Sequence, residues 1–315
     1  MRTLSVLFAV GILGWWGAPI FVGQTVAQFQ MTPSYRFPLQ AGGTKLGGSS
    51  PREAGGTLGR GATTDNSPET AQKETRTMQT GKKRLLVVTH TAGFRHADSI
   101  ELGEKILADI GERSGAFEVD YCRNASDVQK MLTPEFLNAG KYDGVVFLNT
   151  TGDIGIPDLG AFLEWLKGGK AFIGIHAAAD TYHNRPEYID MLQGEFAYHG
   201  KQTKVVAKVE QPDHPAVAHL APEWTVFDEI YLFKENNRPR VQVLLSMDRH
   251  PDDGTPNAGK EGDYLLAWCR VYGKGRVFYT ALGHRLDVWQ DEAYQRHLLG
   301  GIKWALRLQE KGAVK

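Results

Sequence analysis

Apolar runs recur along the chain from Arg84 to Leu308, and their periodicity alternates between two kinds. Residues 84–89 (RLLVVT) form a short run rich in β-branched residues, which predicts a strand. After a loop containing Gly93, Ile100, Gly103, Ile106, Leu107 and Ile110 fall at helical spacing. Further strands are predicted over 117–121, 142–148 (YDGVVFL) and 171–175. Between the last two, Leu159, Phe162, Leu163 and Leu166 mark one face of a helix that Gly168 and Gly169 terminate. Strands apolar on both faces, alternating with helices, predict a parallel sheet covered on both sides. The second half is richer in strands, over 205–209, 229–233 and 241–246. A hairpin joins 264–272 to 276–280 across Gly273-Lys274-Gly275. A last helix carries Tyr294, Leu298, Ile302, Ala305 and Leu308. The predicted class is an open, mainly parallel α/β sheet flanked by helices, with a strand-rich C-terminal extension.

The pattern is different before Lys82. Arg2 precedes an apolar run from Leu4 to Val22, and Thr25-Val26-Ala27 puts small residues where a signal peptidase cuts, so 1–27 read as an export signal. The expected location is periplasmic or extracellular, with membrane contact only through that segment if it stays uncleaved. Residues 28–81 read as a low-complexity arm, because no aromatic residue occurs from Gln40 to Gly81 and such a segment buries too little to offset its ordering entropy. Residues 82–310 are left as one α/β domain. Seven of the 36 basic and four of the 36 acidic residues precede Lys82, so the remainder carries 29 and 32, a net charge of −3. Without a basic patch interleaved with aromatics, nucleic acid is excluded as a partner. A disulfide between Cys122 and Cys269, the only two cysteines, is compatible with export, but spacing alone does not assign one. Nothing in the sequence sets an oligomeric state.

In open α/β sheets ligands bind at the carboxyl ends of the parallel strands. The residues there are His90 through His96, Asn149 to Asp153, His176 to His183, and Gly283-His284. Three of these four segments contain histidine. His176, Asp180 and His183 stand at i, i+4 and i+7 and would share a helical face, a set that suits zinc or another borderline divalent ion. The competing reading is an exposed Asp180–His183 pair. Arg95 can hold a carboxylate or a sugar hydroxyl, His96 precedes a helix with Asp98 or Ser99 as candidate N-caps, and His199 lies in a Gly-flanked loop. Asp228-Glu229 is the acidic pair most relevant to a cleft, and strand alternation would turn only one of the two inward. Trp165, Trp224, Trp268, Trp289 and Trp304 are candidates for stacking surfaces or for core packing.

THTAGFRH (89–96), GIHAAADTYH (174–183), GEFAYHG (194–200), DHP (213–215), FDEIYLF (227–233) and GKGRVFYTALGH (273–284) resemble the ThuA-like, or trehalose-utilisation, family over residues 84–308. That family resembles class I glutamine amidotransferases in fold, which implies a flavodoxin-like sheet here. Those enzymes carry Gly-x-Cys at a strand-to-helix elbow and a late histidine. Here the elbow reads Gly174-Ile175-His176 and the late motif Gly283-His284-Arg285. With His176 in place of the thiol, glutamine amidotransfer is excluded. The resemblance implies a small carbohydrate as partner, a trehalose-like disaccharide, a glycoside or an oxidised sugar. It also implies His176 and His284 as an acid/base pair with Glu229 as the assisting carboxylate. His96, Arg95, Asp180 and His199 are then the candidates for holding substrate. A metal-dependent sugar hydrolase or lyase and a non-catalytic carbohydrate-binding module are the alternatives.

Overall fold

The structure, a computed structural model, describes residues 81–308. The export segment and all of the arm except Gly81 lie outside the described residues. In chain order the elements are β1 (Lys83–Val88), α1 (Ala97–Ser114), β2 (Phe117–Cys122), α2 (Ala125–Met131), α3 (Pro134–Ala139), β3 (Gly144–Leu148), α4 (Leu159–Lys167), β4 (Ala171–Ile175), α5 (Pro186–Leu192) and β5 (Phe196–Tyr198). There follow β6 (Thr203–Val209), β7 (Glu223–Asp228), β8 (Leu232–Phe233), β9 (Gln242–Arg249), β10 (Glu261–Tyr272), β11 (Gly275–Thr280), α6 (Leu286–Gln290) and α7 (Glu292–Ala305). A nine-stranded sheet runs β2-β1-β3-β4-β11-β10-β9-β6-β7, while β5 and β8 pair separately. The strands from β2 to β11 are parallel and the rest are antiparallel. This is the predicted class, with the parallel part in flavodoxin-like order.

Register explains why one edge collects the chemistry. Leu148 lies beside Ile175, and Ile175 beside Thr280. The segments after β3, β4 and β11 therefore start at one level, next to the loop that leaves β1.

Alternation along each strand divides the core in two. Leu85, Val87, Val146, Ile173 and Phe278 face Leu107 and Ile110 of α1 and Leu298 and Ile302 of α7. Leu86, Val88, Val145, Phe172 and Tyr279 face Phe162 and Leu163 of α4 and Tyr188 and Met191 of α5. Trp165, Trp224, Trp268 and Trp289 are buried in these clusters and offer no exposed stacking surface. Cys122 and Cys269 are buried free thiols on strands separated by four others, so the disulfide left open by the sequence is not formed.

Several expected boundaries move. The strand predicted over 229–233 is broken: β7 ends at Asp228, Glu229 to Tyr231 are irregular, and only Leu232–Phe233 pair again. β7 itself alternates, with Trp224, Val226 and Asp228 inward, and a carboxylate at an inward position masked it. Helices α2 and α3 are too short to show an apolar period, and their caps mark them instead. Asn124 accepts from Asp127 N, and Thr133 accepts from Phe136 N just before Pro134. Neither Asp98 nor Ser99 caps α1; the N-cap is His96, with no side-chain cap hydrogen bond.

Two buried histidines remote from the sheet edge predict the acid sensitivity of the fold. Burial holds His297, whose Nδ1 lies 2.9 Å from the Ala216 carbonyl, down at about 3, and His214 down at about 4. An unfolded histidine titrates near 6.5. Between these values the unfolded chain binds more protons than the folded one, so stability is lost as pH falls. The melting temperature should drop between pH 6.5 and 4, and His297→Gln should flatten that slope. An acid slope unchanged in His297→Gln would remove this histidine from the cause.

Candidate active site

The loop after β1 is fastened to the segment after β3: Ala92 N donates to Thr151 O at 2.8 Å, and Thr151 Oγ1 donates to Phe94 O at 2.8 Å. This brings His96 over the ends of β3 and β4. His176 follows β4 directly and takes a left-handed φ of +46°, which a side chain rarely adopts. Strain of this kind concentrates at functional sites. The turn that it opens, His176–Asp180, is a 3-10 helix. Gly283, at φ +116°, needs glycine, because a Cβ there would run into Tyr294. Its carbonyl accepts from Ser99 Oγ at 2.7 Å and Trp289 Nε1 at 2.9 Å, which ties this strap to α1 and α6.

Asp228, the partner of Glu229 in the acidic pair, is the anchor of this edge. Its carboxylate is fully buried and accepts backbone N–H groups from Gly283 at 2.7 Å, Arg285 at 3.0 Å and its neighbour Glu229 at 3.0 Å. Burial pushes its pKa up, opposed by His176 and these N–H donors. Because the chain leaves the strand after Asp228, strand alternation does not apply, and both carboxylates serve the same edge. One holds the strap and the other reaches the histidines.

Glu229 is the hub. One oxygen lies 3.4 Å from His176 Nε2, and the other 3.3 Å from His199 Nδ1 and 3.6 Å from His284 Nε2. The His96 ring meets those of His176 and His284 edge-on, at 5.1 and 5.2 Å between centroids. Burial, then His176 and His284, press His96 down to about 3. His284 is also lowered, first by burial, with Glu229 opposing. Burial would raise Glu229, but His176, His284 and His199 in their protonated forms outweigh it and lower the pKa.

Hydrogen bonds set the tautomers. His176 Nδ1 is 2.7 Å from the Ala281 carbonyl, which only accepts, so the hydrogen sits on Nδ1 and a neutral ring turns its Nε2 lone pair towards Glu229. His284 is the opposite case. Gln202 Oε1 accepts from Arg285 at 2.6 Å, so its amide NH₂ donates to His284 Nδ1 at 3.2 Å and the hydrogen of His284 sits on Nε2. One imidazole offers a lone pair and the other a proton. His96 Nδ1, His176 Nε2 and Glu229 Oε2 are buried without hydrogen-bond partners, and His96, His176 and Glu229 each bring a ring nitrogen or carboxylate oxygen to within 4.8 Å of the others. A carboxylate and a neutral imidazole lone pair repel each other, so a proton or a cation belongs between them.

Of the remaining candidates, Asp180 and His183 stand apart from the cluster. His183 is wedged between Asp180 at 2.6 Å and Glu195 at 2.9 Å, with Lys234 also on Glu195. Burial lowers its pKa, but the two carboxylates outweigh this and raise it. A 3-10 turn does not align i, i+4 and i+7, so the metal set read from the sequence as His176, Asp180 and His183 does not assemble. His96 and Glu229 join His176 instead. Arg95 donates to Thr89 O at 2.7 Å and sits on the wall of a cleft of about 760 Å³, whose inner side is His96 and His284. His199 contacts Glu229 directly but is partly exposed. Gln202 gave no signal in sequence, since a glutamine in a loop has no pattern to betray it. Burial raises both thiols to about 12, which removes them as nucleophiles.

The fold and site define an open α/β protein with a histidine–carboxylate cluster at the carboxyl edge of its parallel strands. A sequence profile described as trehalose utilisation, that of the ThuA family, matches residues 84–305. The chain belongs to the ThuA family, which places it in carbohydrate utilisation in general. Among solved structures it is similar to a putative ThuA-like protein from Parabacteroides merdae, with 21% identity, a TM-score of 0.60, and 74% of this chain and 93% of that one covered. A putative ThuA-like protein from Bacteroides uniformis is similar at 20% identity and a TM-score of 0.56, covering 71% of this chain and 91% of the other. At these identities the likeness shows the fold. No curated protein matches the chain.

Proposed function

We propose that this is an exported enzyme acting on a small carbohydrate, in which His96, His176 and Glu229 hold a divalent metal ion such as zinc. The observation that carries this reading is the convergence of three buried, unpartnered acceptor atoms from distant parts of the chain. Two imidazoles and a carboxylate are a common donor set for a catalytic ion with open positions. When bound, such an ion supplies Lewis-acid polarisation of a sugar oxygen or acidifies a water. The remaining work belongs to the chain. His284 presents a proton on Nε2 at the cleft wall, Gln202 and Arg285 fix its orientation, and Asp228 holds the backbone that carries it. His199 supports the other side of Glu229. Hydrolysis and lyase chemistry both use a positioned proton donor of this kind.

The opposite tautomers of His176 and His284 favour a second reading. In it a proton shared between His176 and Glu229 replaces the ion, and the two histidines act as base and acid. Elemental analysis of the purified protein, with activity on a glycoside panel before and after a chelator, separates the two. One equivalent of metal and loss of turnover on chelation are expected. Metal-free protein with full turnover would establish the acid/base reading in its place.

Export rests on Arg2, the apolar run that follows and Thr25-Val26-Ala27. The mature chain should begin near Gln28 when its N-terminus is sequenced. Recovery of intact Met1 would contradict it.

A further inference from the structure

Five large hydrophobic side chains are exposed among the described residues, and two of them, Phe94 and Leu286, line the cleft in front of His96 and His284. Phe94 is 70% exposed, and Phe227 lies 4.5 Å beneath the guanidinium of Arg285, which also lines the cleft. Exposed apolar side chains scattered singly need no explanation, but a cluster at the mouth of a polar cleft does. Phe94 is also held in place. Its carbonyl accepts from Thr151, the preceding residues Ala92 and Gly93 donate to Thr151 O, and its ring meets His96 edge-on at 4.8 Å. A phenyl ring kept in solvent on a fastened loop is a prepared surface. Around it, Asp98 and Gln290 line the cleft with a carboxylate and an amide suited to hydroxyl groups. A cleft of about 760 Å³ is larger than one sugar ring needs and falls in the range of ordinary ligand sites.

We propose that Phe94 is the platform of a subsite for a second ring, so that the ligand is a glycoside whose aglycone presents a flat apolar ring face. This rests on the reading that the cleft in front of the cluster of His96, His176, Glu229 and His284 takes a sugar. The ring face can belong to an aryl group or to a second pyranose, because both stack on a phenyl ring. A Phe94-bound ring lies outside the reacting sugar and fixes the angle at which the glycosidic oxygen meets His284. Phe94 therefore sets specificity, and methyl glycosides, which have no second ring, gain nothing from it.

The test is calorimetric titration of the mature protein with matched methyl glycosides, phenyl glycosides and disaccharides of the gluco, galacto and manno series. Ring-bearing probes of at least one series should bind about three- to tenfold more tightly than the methyl partner, the range expected of one aromatic contact. Phe94→Ala should abolish that margin while leaving methyl glycoside affinity and metal content unchanged, and Phe94→Tyr should keep it. A margin for phenyl probes alone assigns the subsite to aryl groups, and one for disaccharides to a pyranose. If no ring-bearing probe exceeds its methyl partner, or the margin survives in Phe94→Ala, the platform is overturned. Metal-free wild-type protein with the margin intact would sink the metal reading and leave the platform standing.

Discussion

Glu229→Gln should lose bound metal and turnover together, with activity on an authentic glycoside down by about 10²–10⁴. The amide keeps the size of the side chain, so the folded state should persist. It removes the negative charge that faces His176, His199 and His284 at 3.3 to 3.6 Å. Glu229 has a lowered pKa because those histidines outweigh burial, so the carboxylate is anionic throughout the neutral range and the charge is what the substitution deletes. Parallel measurement of metal content and rate distinguishes the outcomes. Loss of both supports the metal reading. Loss of rate in a protein that never held metal supports proton sharing with His176, and a fully active Glu229→Gln would remove Glu229 from either mechanism.

Asp228→Ala should cause the largest loss of stability among the site residues, about 3–5 kcal/mol. The substitution strands the N–H groups of Gly283, Arg285 and Glu229 in a fully buried position, and each unsatisfied donor costs about 1–3 kcal/mol. In a domain of this size that corresponds to a fall in melting temperature of roughly 10 °C. Asp228→Asn keeps one acceptor oxygen but aims an NH₂ at backbone donors, and should fall between wild type and alanine. A thermal melt checks both, and an unchanged melting temperature for Asp228→Ala would refute the anchoring role. Because the same carboxylate holds the backbone of His284, the alanine variant should also lose activity at temperatures where it remains folded.

The legible parts of the chain share a cause. β1, β3, β4 and α7 announce themselves because burial on one face or both imposes a period on the sequence, and the register then brings Asn149, His176 and the Gly283-His284 strap to one edge. Short elements escaped. α2 and α3 have one or two turns each, too few for a period, and β7 was hidden by Asp228 at an inward position. His96, His176, Glu229 and His284 were each visible as candidates from motif and strand-end position. Their assembly was not, because the partners of His176 lie 80 residues before it and 53 after it and meet only through the sheet order. Local spacing pointed to Asp180 and His183 instead, on the assumption of an α-helical turn that the 3-10 geometry does not provide. Gln202 and the Ala281 carbonyl decide which nitrogen of each imidazole carries its hydrogen. Neither carries a signature in sequence, since their roles come from distance alone.

The most direct measurement of the central claim is anomalous diffraction from crystals of the mature protein grown with zinc, with data collected on both sides of the zinc edge. The account predicts one strong peak centred between His96 Nδ1, His176 Nε2 and Glu229 Oε2, absent in crystals of His176→Ala. A peak only between Asp180, His183 and Glu195, or no peak at either cluster in zinc-soaked wild-type crystals, would contradict it.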